Sequence, residues 1–296
     1  MHRIRVKNIV LFVIFFLNAF CSQGQIIKEP TTKAEWLKPF PPFRIAGNLY
    51  YVGTYDLGCY LIVTAKGNIL INTGMASSAA QIRKNIETLG FKYSDLNILL
   101  ITQAHFDHTG ALAEIKAQTH ATFMADEKEV DVLASGGSTD YELGKYGTSF
   151  KPVKVDALLH DGDTITLGDT QLVLLHHPGH TKGSCSYLFT VKDEQWSYRV
   201  LIANMPSIIT EKHFADIPAY PSIAQDYAKT LQDMKAIEFD IWVASHASQV
   251  NLHDKHKPGN MYKPLAFADQ EGYLSALDDL QKEYDKKLKK DAEKKF

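Results

Sequence analysis

The chain has 296 residues, 45% of them hydrophobic and 22% charged, with 18 glycines and 11 prolines. That balance can bury a large core, and it excludes a disordered chain, a collagen-like repeat and a coiled coil. Lysine and arginine number 32 against 34 acidic residues, a formal net charge of −2, without the clustered basic excess that nucleic-acid binding requires. The 12 histidines are the feature to follow, because several crowd into two short stretches.

Residues 1–24 read as a secretory signal. Arg3, Arg5 and Lys7 form a basic start, Ile9–Phe20 an apolar run, and Ser22 and Gly24 place small residues before cleavage at Gln25. At about 1.5 Å per residue the apolar run is too short for a ~30 Å hydrocarbon core. Acylation at Cys21 is a third reading, opposed by the bulky Phe20 before it. Cleavage leaves 25–296 as a single domain exported to the periplasm, with no other segment apolar enough to span a bilayer. Only Cys59 and Cys185 then remain, too few for a disulfide scaffold, and whether they pair stays open.

Thr31–Phe43, with Trp36 and three prolines at 39, 41 and 42, reads as an irregular arm. Asn48–Val52, Gly58–Thr64 and Asn68–Asn72 form an antiparallel meander. Ala79, Ile82, Ile86 and Leu89 keep helical spacing up to Gly90. A short buried strand, Asn97–Thr102, runs into Gln103–His108; Thr109–Lys116 is then helical, Ala121–Met124 a strand, and Asp126–Leu133 a helix ended by Gly136 and Gly137. Thr164–Leu167 and Gln171–Leu175 flank the Gly168-Asp169 turn as a hairpin, followed by strands Cys185–Val191 and Tyr198–Ala203. The last third holds a helix Ile223–Ile237, a strand Asp240–Ala244, and a long helix carrying Tyr273, Leu277, Leu280, Tyr284 and Leu288. Strand groups alternate with helices without a dividing linker, which suits sheets covered by outer helices.

Three stretches carry chemistry, each just past a strand. In the first, Gln103 to Gly110, the side chains of His105, Asp107 and His108 splay from one turn; imidazole nitrogen and carboxylate oxygen at that density suit zinc. The alternative is a helix cap, with Asp107 or Thr109 satisfying amide donors. In the second, Pro178 and Gly179 make a tight turn that projects His180, while His176 and His177 stay unassigned. The third is His246, which alone would read as structural. Together, four histidines and an aspartate leaving strand ends can converge at one edge of a sandwich.

These stretches resemble the metallo-β-lactamase superfamily. The likeness continues through Pro42–Gly53, Ile71–Gly74 and Leu201–Ser207 and covers essentially the whole chain from about Glu29. Those segments resemble subclass B3, and within it the GOB-type enzymes, whose first motif begins with glutamine. The resemblance implies an α/β fold, a four-layer αββα sandwich with the metal site at one edge of the two sheets. It implies one zinc site at Gln103, His105 and His180 and a second at Asp107, His108 and His246, with Asp107 catalytic. Two metals ~3.5–4 Å apart would share a hydroxide that attacks the β-lactam carbonyl of penicillins, cephalosporins or carbapenems, conferring resistance. Ser207 matches a position that binds the substrate carboxylate. Ser184 and Cys185 are strand residues, and no serine or cysteine nucleophile is required.

Two departures choose within the superfamily. Where glyoxalase-, lactonase- and nuclease-like members place a metal-bridging aspartate, this chain has Asn204 and Met205, poor replacements that favour β-lactam hydrolysis. Gln103 offers only a neutral carbonyl oxygen, so the second site is expected to hold zinc more tightly. Rival readings are a lactone or other ester hydrolase on the same scaffold and a periplasmic zinc-binding protein without catalysis. The expected partners are small β-lactams, with no nucleic acid or membrane, for a monomer.

Overall fold

The computed structural model describes residues 26–293; the expected secretory signal over 1–24, with Cys21, and Gln25 and the last three residues lie outside the described residues. Two mixed sheets face each other. The first is β1 (Phe43–Ala46), β2 (Leu49–Tyr51), β3 (Tyr60–Thr64), β4 (Gly67–Ile71), β5 (Leu96–Leu100), β6 (Thr122–Asp126) and β7 (Ala157–Leu159), in that spatial order. Its first four strands pair antiparallel and its last four parallel. The second sheet takes β8 (Thr164–Leu167), β9 (Thr170–His176), β10 (Cys185–Lys192), β11 (Ser197–Ala203) and β12 (Ile241–Ala244) in the order β12-β11-β10-β9-β8. Only β11 and β12 are parallel there.

Alternation along the strands builds the layers. Tyr60, Ile62, Ile69, Ile71, Ile98 and Leu100 pack toward the second sheet, in one core with Leu172, Leu174, Tyr187, Phe189 and Val200. The intervening Leu61, Leu70 and Leu99 point the other way, into a core with Ile82, Ile86, Leu112 and Ile115. Those four residues come from α2 (Ser78–Thr88) and α4 (Leu112–Thr119); the short turns α1 (Ala34–Leu37), α3 (Phe106–Thr109) and α5 (Val130–Ala134) belong to the same half of the chain. Truncating a side chain such as the fully buried Ile82 to alanine would cost about 2–5 kcal/mol. On the far side, α6 (Ile223–Lys235) and α8 (Gln270–Glu293) close the sandwich through Tyr227, Leu231, Met234, Tyr273 and Leu277, with the single turn α7 (Leu252–Lys255) between them. The result is the four-layer α/β sandwich expected.

Some elements differ from expectation. The arm ends in a strand, β1, because Phe43 and Ile45 enter the core straight after the prolines. The helix expected over Asp126–Leu133 is a 3-10 turn, Glu127–Glu129, followed by α5. The helix expected from Thr109 begins at Leu112 instead, because Gly110 breaks it from α3. Its amide donates to the Gly74 carbonyl at 2.8 Å, and a Cβ there would lie 2.4 Å from the Ala76 nitrogen. Cys59 and Cys185 are both buried and free, so they do not pair.

Candidate metal centre

Strand ends deliver every candidate residue to one edge of the sandwich. β5 runs into Gln103–His105 and α3, β9 into the turn bearing His180, and β12 into His246. The first loop is braced from beneath. Asn72, in the left-handed region at φ 63°, accepts the Thr102 amide on its side-chain oxygen at 2.9 Å, and the Thr73 amide donates to the His108 carbonyl at 2.8 Å. The His180 turn depends on Gly179, at φ 131°, where a Cβ would meet the Tyr227 ring at 2.8 Å. That close approach packs the turn onto α6.

All six sequence-derived ligand candidates converge, in two groups. In one, His180 Nε2 lies 3.2 Å from His105 Nδ1, and Gln103 stands beside them in the lining of the same cleft, its Oε1 buried without a hydrogen-bond partner. The His180 Nδ1–H donates to the Ser207 carbonyl at 2.7 Å, which leaves the Nε2 lone pair facing inward. In the other, Asp107, His108 and His246 each bring one donor atom within 4.8 Å of the others. Asp107 Oδ2 is 3.3 Å from His108 Nε2 and 3.4 Å from His246 Nε2, and both ring nitrogens of His108 are buried without a hydrogen bond.

The electrostatics suit a cation. Burial holds His108 down to about 3 and His180 down to about 4, so both rings are neutral at neutral pH. Burial opposes charge on Asp107 too, yet His108, His246 and His105 beside it keep its carboxyl well below the usual carboxylate range. His246 is the exception: burial disfavours its charge, but hydrogen bonds and attraction from Asp107 and Asp56 push it up to about 9. The unpartnered Gln103 oxygen and His108 nitrogens, the neutral rings of His108 and His180, and an ionised carboxylate are a set that fits zinc.

Two further carboxylates stand behind the histidines. Asp140 Oδ2 is 3.3 Å from His105 Nε2, while its Oδ1 accepts the amides of Glu142 and Leu143 at 2.9 and 2.6 Å. Asp56 Oδ2 is 3.4 Å from His246 Nδ1 and accepts the Trp36 indole N–H at 3.0 Å. Sequence reading missed both, since each comes from a loop with no local motif. His176 and His177 belong elsewhere: His176 pairs with Asp126 at 2.6 Å, and His177 with the Ser186 hydroxyl at 2.8 Å. Ser184 spends its hydroxyl on the His177 carbonyl at 2.7 Å, consistent with a site that uses no serine nucleophile.

The groups open into a cleft of about 510 Å³ lined also by Lys33 and Trp36 of the arm, Tyr146, Ser207 and Gln249. Asn204 and Met205 do not line it. Asn204 accepts the Ser245 hydroxyl at 3.2 Å, and Met205 is buried in the core.

A two-sheet sandwich with clustered histidine and aspartate at its edge is the architecture of a metallohydrolase. Residues 59–193 match the pattern that defines the metallo-β-lactamase superfamily. The chain is 59% identical to the crystal structure of the metallo-β-lactamase GOB-18 from Elizabethkingia meningoseptica, over 90% of this chain and 99% of that one, with a TM-score of 0.89. It is 63% identical to the class B3 di-zinc metallo-β-lactamase LRA-12 from an Alaskan soil metagenome, over 88% and 100%, with a TM-score of 0.87. Among curated relatives, a probable metallo-hydrolase of Methanocaldococcus jannaschii is 30% identical over 135 residues, 46% of this chain and 63% of its own length. The chain spans less than two thirds of the curated relatives it matches first. The protein belongs to the metallo-β-lactamase superfamily, among the GOB-like members of subclass B3.

Proposed function

We propose that the protein is a zinc-dependent β-lactamase that hydrolyses the amide bond of penicillins, cephalosporins and carbapenems and so confers resistance. The observation that carries this reading is the convergence of Gln103, His105, His180, Asp107 and His246 in the lining of one cleft, with His108 buried against Asp107 just beneath it. Gln103, His105 and His180 would hold one zinc, and Asp107, His108 and His246 the other, with the second group the tighter. Zinc, when bound, supplies Lewis-acid stabilisation of the charge that builds up as the amide is cleaved.

The chain's own residues do the rest. Asp107, ionised on the cleft floor, orients water toward the substrate carbonyl. The Ser207 main-chain oxygen accepts the His180 Nδ1–H at 2.7 Å, and its hydroxyl oxygen lies 3.2 Å from the same nitrogen, so the hydroxyl hydrogen can turn to the substrate carboxylate. Trp36 and Tyr146 supply apolar walls. The placement of Asn204 and Met205 away from the cleft supports this reading over one that uses a metal-bridging carboxylate at that point.

The sequence of residues 1–24 supports export to the periplasm, with 25–296 acting as one domain and as a monomer. Among the described residues, no helix is long and apolar enough to cross a membrane. The test is a screen of the mature protein against the three drug classes and an acyl-homoserine lactone, with and without chelator. β-Lactam loss abolished by EDTA and restored by Zn²⁺ is expected. Lactone turnover with no loss of a chromogenic cephalosporin would replace this reading with the ester-hydrolase one.

A further inference from the structure

Asp56 stands at the meeting point of two parts of the molecule that are far apart in sequence. Its Oδ2 takes the Trp36 indole N–H at 3.0 Å and lies 3.4 Å from His246 Nδ1. Its Oδ1 accepts the Ser248 amide at 2.8 Å, its main-chain oxygen accepts the Ala247 amide at 2.7 Å, and Leu57 forms a β-bridge with His246. The carboxylate is therefore held rigidly against the His246 loop. With Nδ1 facing this carboxylate, Nε2 of His246 is left facing Asp107, 3.4 Å away. The Trp36 ring packs on His246 at 5.4 Å between centroids and on Phe106 at 6.2 Å, so it spans both ligand-bearing loops. The rest of the arm is fastened separately: the Lys38 carbonyl accepts the Tyr55 amide at 2.8 Å, and the Glu29 carboxylate accepts the Ala76 amide at 2.7 Å.

We infer that Asp56 is a positioning residue that couples the arm over the cleft to zinc at the Asp107, His108 and His246 group. One oxygen serves both partners: it aims the His246 ring at the metal and seats Trp36 as a roof over it. A metal-bound imidazole is a stronger Nδ1–H donor to the same carboxylate, which locks the oxygen that also holds the indole. Coupling of this kind is reciprocal, so zinc steadies the arm and the seated arm retains zinc. The inference rests on the ligand assignment of His246 proposed above, and the experiment separates the two.

The experiment takes the full mature protein loaded with zinc and measures zinc loss to a fluorescent chelator, alongside acrylamide quenching of tryptophan emission. Trp36→Phe identifies the Trp36 share of the emission, since the exposed Trp196 and buried Trp242 remain in every sample. Asp56→Asn is expected to hold the tighter zinc about 10–100-fold more weakly. Trp36→Phe, which keeps a ring but loses the N–H, is expected to weaken it a few-fold. Zinc removal should raise Trp36 quenching in the wild type and leave it unchanged, already high, in Asp56→Asn. A role confined to packing would not make Trp36 respond to zinc. Wild-type zinc affinity in folded Asp56→Asn overturns the positioning role. Trp36 quenching that ignores zinc overturns the coupling. If Asp56→Asn does not fold, Trp36→Phe decides alone, and unchanged zinc affinity there overturns the coupling. His246→Ala retaining the tighter zinc would instead remove the ligand assignment beneath both.

Discussion

In the half of the centre formed by Gln103, His105 and His180, none of the three donor side chains is a carboxylate, and Asp140 sits one step back behind His105. In the half formed by Asp107, His108 and His246, a carboxylate lies among the donors themselves, and a second one, Asp56, backs His246. The scaffold treats the halves alike, since both are carried on strand ends and both have a buttressed histidine. The difference is the position of negative charge. A cation is attracted far more strongly by an anion in direct contact than by one screened by an imidazole. Under the proposed assignment, the Asp107 carboxylate among the donors of one half, with no counterpart in the other, makes the two sites unequal, and the neutral carbonyl donor of Gln103 adds to the difference.

The comparison can be broken most forcefully at Asp107. Asp107→Asn should lower kcat/KM by more than about 100-fold, a larger loss than removing a buttress gives, with zinc released from its own half first. Steady-state kinetics with metal analysis checks this, and zinc lost equally from both halves would erase the distinction.

A second contrast is in pH. The pairing of His246 with Asp107 and Asp56 raises its folded value to about 9, against about 6.5 when unfolded. Its contribution to stability, of the order of a few kcal/mol, is thus complete below about pH 6.5 and is lost as pH rises through about 9. Chelator-treated protein should show a Tm that falls across that window, while zinc-loaded protein, whose His246 is already deprotonated by the metal, should stay flat. Parallel profiles would contradict the ligand role of His246.

Asp140→Asn probes the other half, where zinc affinity should drop about 10-fold or more with the tighter zinc left in place. Competition with a chelator, read together with metal content, checks it. Ser207→Ala should have the smallest effect. It removes one hydrogen bond of about 0.5–1.5 kcal/mol, appearing in KM for substrates bearing a carboxylate and leaving metal content unchanged.

The clustering of histidines makes the candidate loops legible from the residues alone, because His105–His108 and Pro178–His180 concentrate donor side chains at strand ends, whereas Gln103 enters only through the family resemblance. His246 is legible only in company with them. The buttresses are not legible: Asp56 and Asp140 gain their roles from contacts across the fold that no local spacing records. The same holds for elements. The helices α2 and α6, each with one buried face, show their spacing plainly, whereas β7 is three residues long with Leu158 half exposed and carries no alternation to read. Gly110 interrupts what side-chain spacing alone presents as a continuous helix, for a reason lying in the neighbouring Gly74–Ala76 loop.

The unequal halves are tested most directly by zinc titration of the wild type and Gln103→His against a competing chelator. The wild type should bind zinc in two steps, and Gln103→His should tighten the weaker step while leaving the stronger one in place, because imidazole nitrogen is the better donor to this ion. A single step in the wild type, or a weaker step that is unchanged or loosened in a well-folded Gln103→His, would contradict the account and assign first-site affinity to the surrounding shell instead.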